Sequence, residues 1–146
     1  MADSAPQSMV GALQAAVIEK LKKDAGVKAL VNARIYDEVP SDKDRPTTPY
    51  LYLGPVALRR PAETGPCSKV REAKFRMFAV STEFGRLEAW AVIDAASDAL
   101  DNSELQLTAP YSTLGDDVKL INAGDVVAPV TPKSTFADFT VDLTHL

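Results

Sequence analysis

Residues 69–82 read KVREAKFRMFAVST, and their alternation decides the fold. Ala73, Phe75, Met77 and Ala79 fall on one side, while Lys74, Arg76, Phe78 and Val80 fall on the other. A period of two with one wholly apolar side marks a strand packed on a core by that side. The other side is basic at one end and apolar at the other, which predicts only partial cover by the chain itself. A second alternation matches it in STFADFTVDLTHL, residues 134–146, where Ala137, Phe139, Val141 and Leu143 oppose Asp138, Thr140, Asp142 and Thr144.

Helical periods flank the first of these strands. In MVGALQAAVIEKLKKDAG, residues 9–26, Val10, Leu13, Val17 and Leu21 recur at three- and four-residue spacing, with Ile18 widening the stripe. Ser8 is the expected N-cap and Gly26 the expected stop. Lys20, Lys22 and Lys23 crowd the last turn, where cations meet the negative end of the helix dipole. Val27, Leu30 and Val31 suggest one further helical turn. After the strand, EFGRLEAWAVIDAASDALDN, residues 83–102, carries Ala89, Val92, Ile93, Ala96 and Leu100 as an inward stripe, helped by Leu87 and Trp90.

Between the first helix and the alternating strand lies RIYDEVPSDKDRPTTPYLYLGP, residues 34–55. Ile35 to Val39 reads as a short strand stopped by Pro40, and residues 41–48 as an exposed charged loop. Tyr50 and Tyr52 then oppose Leu51 and Leu53, and Gly54-Pro55 is expected to end the pairing. Residues 56–68 read as a connection, and residues 116–130 as one or two strands. The order is helix, two strands, strand, helix, two or three strands. It predicts an α+β fold, a mainly antiparallel sheet with two principal helices packed on one face.

At 146 residues the chain has room for one core, and its 46% hydrophobic and 25% charged content is that of an ordinary soluble domain. A formal charge of −4 argues against a sequence-reading nucleic-acid binder, which needs a basic face. No apolar run approaches the ~20 residues of a membrane span, and MADSAPQS lacks the features of a secretory signal. No membrane partner is expected. The single cysteine, Cys67, leaves no internal disulfide and fits a reducing cytoplasm.

Catalytic readings find no support. The only histidine is His145, and the seven glycines show neither Walker nor dinucleotide spacing. Asp138 and Asp142 share a strand face but stand ~13 Å apart, too far for one metal or a shared proton. Asp116 and Asp117 read as turn residues after Gly115. No catalytic residue, metal or cofactor is therefore expected, and the chain is not read as an enzyme.

Asp94, Asp98 and Asp101 fall at i, i+4 and i+7 and run into the negative end of the second helix. A basic surface of a neighbouring copy, such as Arg59 and Arg60, would suit that stripe; a solvated face is the plainer explanation. Asp42, Lys43, Asp44 and Arg45 are further contact candidates in the charged loop.

ALQAAVIEKLKKDAGVKALVNARIYDEVP, then PYLYLG, a strand ending VST, and GRLEAWAVIDAASDAL together resemble the tail-completion, or tail-terminator, proteins of long-tailed bacteriophages and gene transfer agents. The resemblance spans roughly residues 10 to 102. It implies a single domain over residues 1–146, with 1–7 flexible, that forms a homo-oligomeric, hexameric ring in the virion at the head-proximal end of the tail tube. Such a ring would end tube polymerisation and join the tube to a connector or neck protein, after assembly in the bacterial cytoplasm. DNA would pass through without sequence-specific binding, with Asp138 and Asp142 as candidates for the lumen. The alternatives are another neck component, a stopper or adaptor, or a monomer binding a small ligand around Tyr50 and Tyr52.

Overall fold

The computed structural model describes residues 8–40, 47–61, 69–81, 86–114, 117–126 and 133–145. The Asp42, Lys43, Asp44 and Arg45 candidates, with Cys67 and Asp116, lie outside the described residues. Ser8 has extended backbone, and its hydroxyl accepts the Gly11 N–H at 3.0 Å, starting α1 (Met9–Lys23). Leu13, Val17 and Leu21 are buried along it, and the three lysines fill its last turn as expected.

Asp24, not Gly26, ends this helix. Its backbone N–H bonds to the Leu21 carbonyl, and its carboxylate accepts the Val27 N–H at 3.0 Å, so it also begins α2 (Ala25–Val31). Gly26 therefore sits inside a second helix, because an aspartate supplies an acceptor where a glycine supplies only freedom. Val27 and Val31 are buried, and Asn32 leaves α2 with a φ of 54°.

β1 (Ile35–Tyr36) pairs in parallel with the start of β2 (Tyr50–Arg59), Ile35 opposite Leu51 and Tyr36 opposite Tyr52. The strand expected over 35–39 thus pairs over two residues only. Gly54-Pro55 does not end β2 either. The register against β3 (Arg71–Ser81) shifts between Leu53 and Val56, and pairing resumes through Arg59 opposite Glu72. A bulge on a strand whose other edge has no strand partner there among the described residues tolerates a residue without an N–H.

α3 (Arg86–Leu100) follows, then β4 (Tyr111–Thr113), β5 (Lys119–Val126) and β6 (Lys133–His145). β6 lies antiparallel to β3 along eleven residue pairs, Phe75 opposite Phe139. Along its other edge β6 pairs first with β5 and then with β4, both antiparallel. The result is a six-stranded, mostly antiparallel sheet with all three helices on one face. Among the described residues no helix is long and apolar enough to cross a membrane.

The core lies between the helices and the side of the sheet that carries Ala73, Phe75, Met77 and Ala79 with Ala137, Phe139, Val141 and Leu143. Phe75 and Phe139 stack with ring centroids 5.3 Å apart. Ala89 and Ala96, both fully buried, let α3 approach the sheet closely. Thr135 donates its hydroxyl to the Ala89 carbonyl at 3.0 Å, and Ser81 donates to the Glu88 carboxylate, seating the first turn of α3. Leu87, expected inward, is 78% exposed. It precedes Ala89 by two residues, about 200° around the helix, so the face that buries Ala89 turns Leu87 to solvent.

Candidate functional site

The face of the sheet turned away from the helices has no cover among the described residues, and its side chains form an ordered array. Register alone places Tyr36, Tyr52, Phe78 and Phe136 in one row across β1, β2, β3 and β6. Tyr52 and Phe78 stack at 4.9 Å, and Tyr50 joins them edgewise to Tyr36 at 5.8 Å. Burial, and then the charge of the neighbouring tyrosine, raises the pKa of both Tyr50 and Tyr52 above the ordinary phenol value. They are apolar contacts with a polar tip, not acids or bases at neutral pH.

Two glycines make room for the row. A Cβ on Gly54 would lie 2.5 Å from Phe78 Cε2, and one on Gly124 would lie 3.1 Å from the Phe136 ring. Beside the row, Arg76 holds its guanidinium 4.1 Å from the Phe136 ring centre. The same group forks onto Asp138, Nε to Oδ1 at 2.7 Å and Nη2 to Oδ2 at 3.0 Å. That hydrogen bonding raises the Arg76 pKa further, and Asn122 donates a third bond to Asp138 at 3.2 Å.

Asp138 and Asp142 do share this face, as the alternation requires, but Asp138 presents no free carboxylate. Glu72, opposite Asp142, is itself held by Arg59 through Nε at 3.1 Å and Nη2 at 2.9 Å. With Lys74 also on this side, the face is charge-balanced more than acidic.

The remaining candidates lie on the borders of the sheet. Arg60 is exposed and has no acidic partner among the described residues. Asp94 and Asp98 are likewise exposed on α3. Asp101 is different: its Oδ1 accepts the Leu120 N–H at 2.9 Å, tying the end of α3 to β5. Trp90 does the same at the other end, donating Nε1 to Asp125 Oδ1 at 2.8 Å, with Arg86 beside it at 3.2 Å. Sequence reasoning missed this tie and the Arg76–Asp138 fork. The partners of the fork are 62 residues apart, and only the strand register brings them together.

The described residues hold no cluster of three or more metal-ligating side chains. Shallow depressions on the sheet, such as one of about 400 Å³ bounded by Pro55, Phe78, Ile121 and the Arg76–Asp138 fork, are open and lack a nucleophile–base pair.

The family model for tail completion protein gp17 matches residues 15–141. The chain belongs to that family. A chain in the solved virion of a native gene transfer agent particle superposes with a TM-score of 0.78 at 26% identity, covering 94% of this chain and 98% of that one. The gp17 protein of bacteriophage SPP1 aligns over 99% of this chain and 97% of its own at 17% identity, with a TM-score of 0.44. No curated protein matches. The tail-completion family is one of structural virion proteins, and the resemblance carried by ARIYDEVP, PYLYLG and the helix led by GRLEA is borne out.

Proposed function

We propose that this tail-completion protein caps the head-proximal end of a tail tube as a hexameric ring, ending tube polymerisation and offering the surface on which the filled head docks. The observation that carries the reading is the family match over residues 15–141, joined by a near-complete likeness to a chain of a gene transfer agent virion. In this reading the partners are sister copies, the tube protein and a neck protein, and the site of action is the virion. The fold suits a capping subunit, since a rigid sheet is backed by helices on one side and shows an aromatic, charge-balanced face on the other.

In the ring so proposed, the helix-free face lines the bore, with Asp138 and Asp142 on it. Six copies, each at −4, carry about −24 in formal charge, which keeps DNA from adhering as it passes. Pairing of Asp138 with Arg76 makes that bore locally neutral, so the repulsion comes from the assembly as a whole.

Deletion of the gene followed by electron microscopy of particles tests the reading. Tails of abnormal length and unattached heads are the expected outcome. Normal virions would reject it.

A further inference from the structure

Charge is unevenly shared along the strands. From the level of Lys74 outward, β2, β4, β6 and β3 with the two residues before it carry Arg59, Arg60, Lys69, Arg71 and Lys74 against Glu72 and Asp142. Five cations face two carboxylates there, in a chain whose formal charge is −4. Both carboxylates lie on the helix-free side, opposite each other, where Arg59 holds Glu72. Among the described residues of these strands, none stands on the helix side of this end.

That helix side holds a depression of about 350 Å³ where α1 begins. Lys69 and Arg71 border it, and Met9, Leu58 and Tyr111 give it apolar walls. Leu58, opposite the buried Ala73, is 38% exposed. Tyr111 is braced edgewise by His145, with ring centroids 5.3 Å apart. Arg60, one residue past the Arg59–Glu72 pair, stands at the level of Arg71. Arg60 and Lys69 are exposed and form no ion pair among the described residues.

An apolar seat rimmed by cations fits a polypeptide that brings an apolar side chain beside its carboxylates. A DNA backbone would use the cations and leave the seat empty. The chain's own exposed aspartates on α3 do not come to this end. Trp90 bonds to Asp125, at the level of Ala79, and Asp101 to Leu120, at the level of Phe75. Asp94 and Asp98 lie between those levels, at least four residues or ~13 Å along the strands from Arg71. A sister copy alongside, with its strands level, therefore leaves the cationic end open to a partner beyond the strand ends. Of the partners proposed above, the tube suits it, because cations turned toward a DNA-filled head would hold the DNA that has to pass.

We infer that the end of the sheet bearing Arg60, Lys69 and Arg71 seats on the tail tube, taking an acidic segment of the tube protein beside Leu58. The inference rests on the capping role proposed above and adds to it the surface and the chemistry of the contact.

Charge reversal tests it. The full chain is sedimented with tail tubes purified from cells that make particles without this gene. Arg60→Glu with Lys69→Glu is compared with Lys22→Glu with Lys28→Glu, the same charge change on exposed residues of α1 and α2. Thermal melting confirms that each variant is folded at the assay temperature. Reversal at Arg60 and Lys69 is expected to weaken tube binding tenfold or more and to remove most of its salt dependence, while the control binds like wild type. Wild-type binding by the Arg60 and Lys69 reversal, an equal loss in the control, or a wild-type protein that does not bind tubes would overturn the inference. So would a loss confined to filled heads, or tight binding of random-sequence duplex DNA through the same two residues. Tubes bound equally by wild type and reversal would reject this surface and leave the capping role standing. Normal virions after gene deletion would reject the capping role, with the surface still judged by sedimentation.

Discussion

Replacing Gly54 by alanine should destabilise the protein, although the general effect of that change in a chain is the reverse. Alanine restricts the unfolded state and by itself contributes ~0.4–1 kcal/mol of stability where the native backbone accepts it. Here the added methyl would stand 2.5 Å from Phe78 Cε2, 3.0 Å from Phe78 Cδ2 and 3.2 Å from the Arg76 carbonyl oxygen. The ring is half-buried and can swing, but only by leaving its stack on Tyr52, at a cost of ~0.5–1.5 kcal/mol. The carbonyl belongs to a paired strand and cannot move far, so overpacking adds ~1–3 kcal/mol. The unfavourable effects win by about 0.5–4 kcal/mol, which at ~3 °C per kcal/mol lowers the melting midpoint by ~2–12 °C. Scanning calorimetry on Gly54→Ala, Phe78→Ala and the double variant isolates the cause. With the ring removed, the alanine penalty should shrink by ~1 kcal/mol or more. A raised midpoint for Gly54→Ala, or the same penalty in both backgrounds, would refute the close-approach argument.

Asp24→Ala removes an acceptor that begins α2 and should cost about 1 kcal/mol in urea unfolding, whereas Gly26→Ala, which keeps the capping carboxylate and only sets a Cβ 3.2 Å from its Oδ2, should cost less. A double-mutant cycle on Arg76→Met and Asp138→Asn should return a coupling of roughly 1 kcal/mol, reduced in high salt because the pair is only part-buried. Tyr50 and Tyr52 are held protonated by burial, so folding favours the neutral phenol. Their contribution is fully present below the ordinary value of 10.0 and is lost as pH rises through the higher folded values. Unfolding midpoints measured above that pH should fall more steeply for wild type than for Tyr50→Phe with Tyr52→Phe.

Much of this architecture was legible because burial imposes a period. Ala73, Phe75, Met77 and Ala79 of β3, Ala137, Phe139, Val141 and Leu143 of β6, Leu13, Val17 and Leu21 of α1 and Ala89, Val92, Ile93, Ala96 and Leu100 of α3 are buried as their spacing requires, whereas Val10 and Leu87, read into the helix stripes, are not. What escaped reading depends on partners distant in sequence. Gly54-Pro55 looks like a stop until the pairing of β2 with β3 is known, where a bulge carries β2 on to Arg59. β4 has three residues and no alternation to detect. Asp24 serves two helices at once, a role that a search for one cap at a time passes over. Of the charged residues singled out by sequence, Arg60, Asp94 and Asp98 are exposed, while Asp101 turned out to be engaged by Leu120 and Asp138 by Arg76, ties that only the folded register creates.

The place of β6 in the sheet also sets a schedule for synthesis. It is the shared neighbour of β3, β4 and β5, and those three reach it from positions earlier in the chain. Until residues 133–145 leave the ribosome, β3 has one bare flank and β4 and β5 have no strand to pair with. At ~5–20 residues per second, the interval from β3 to β6 lasts ~3–13 s. Nascent copies on one messenger would therefore lack a finished sheet during that time, and the bare flank of β3 would be open to mispairing with a neighbouring chain until β6 arrives to cover it.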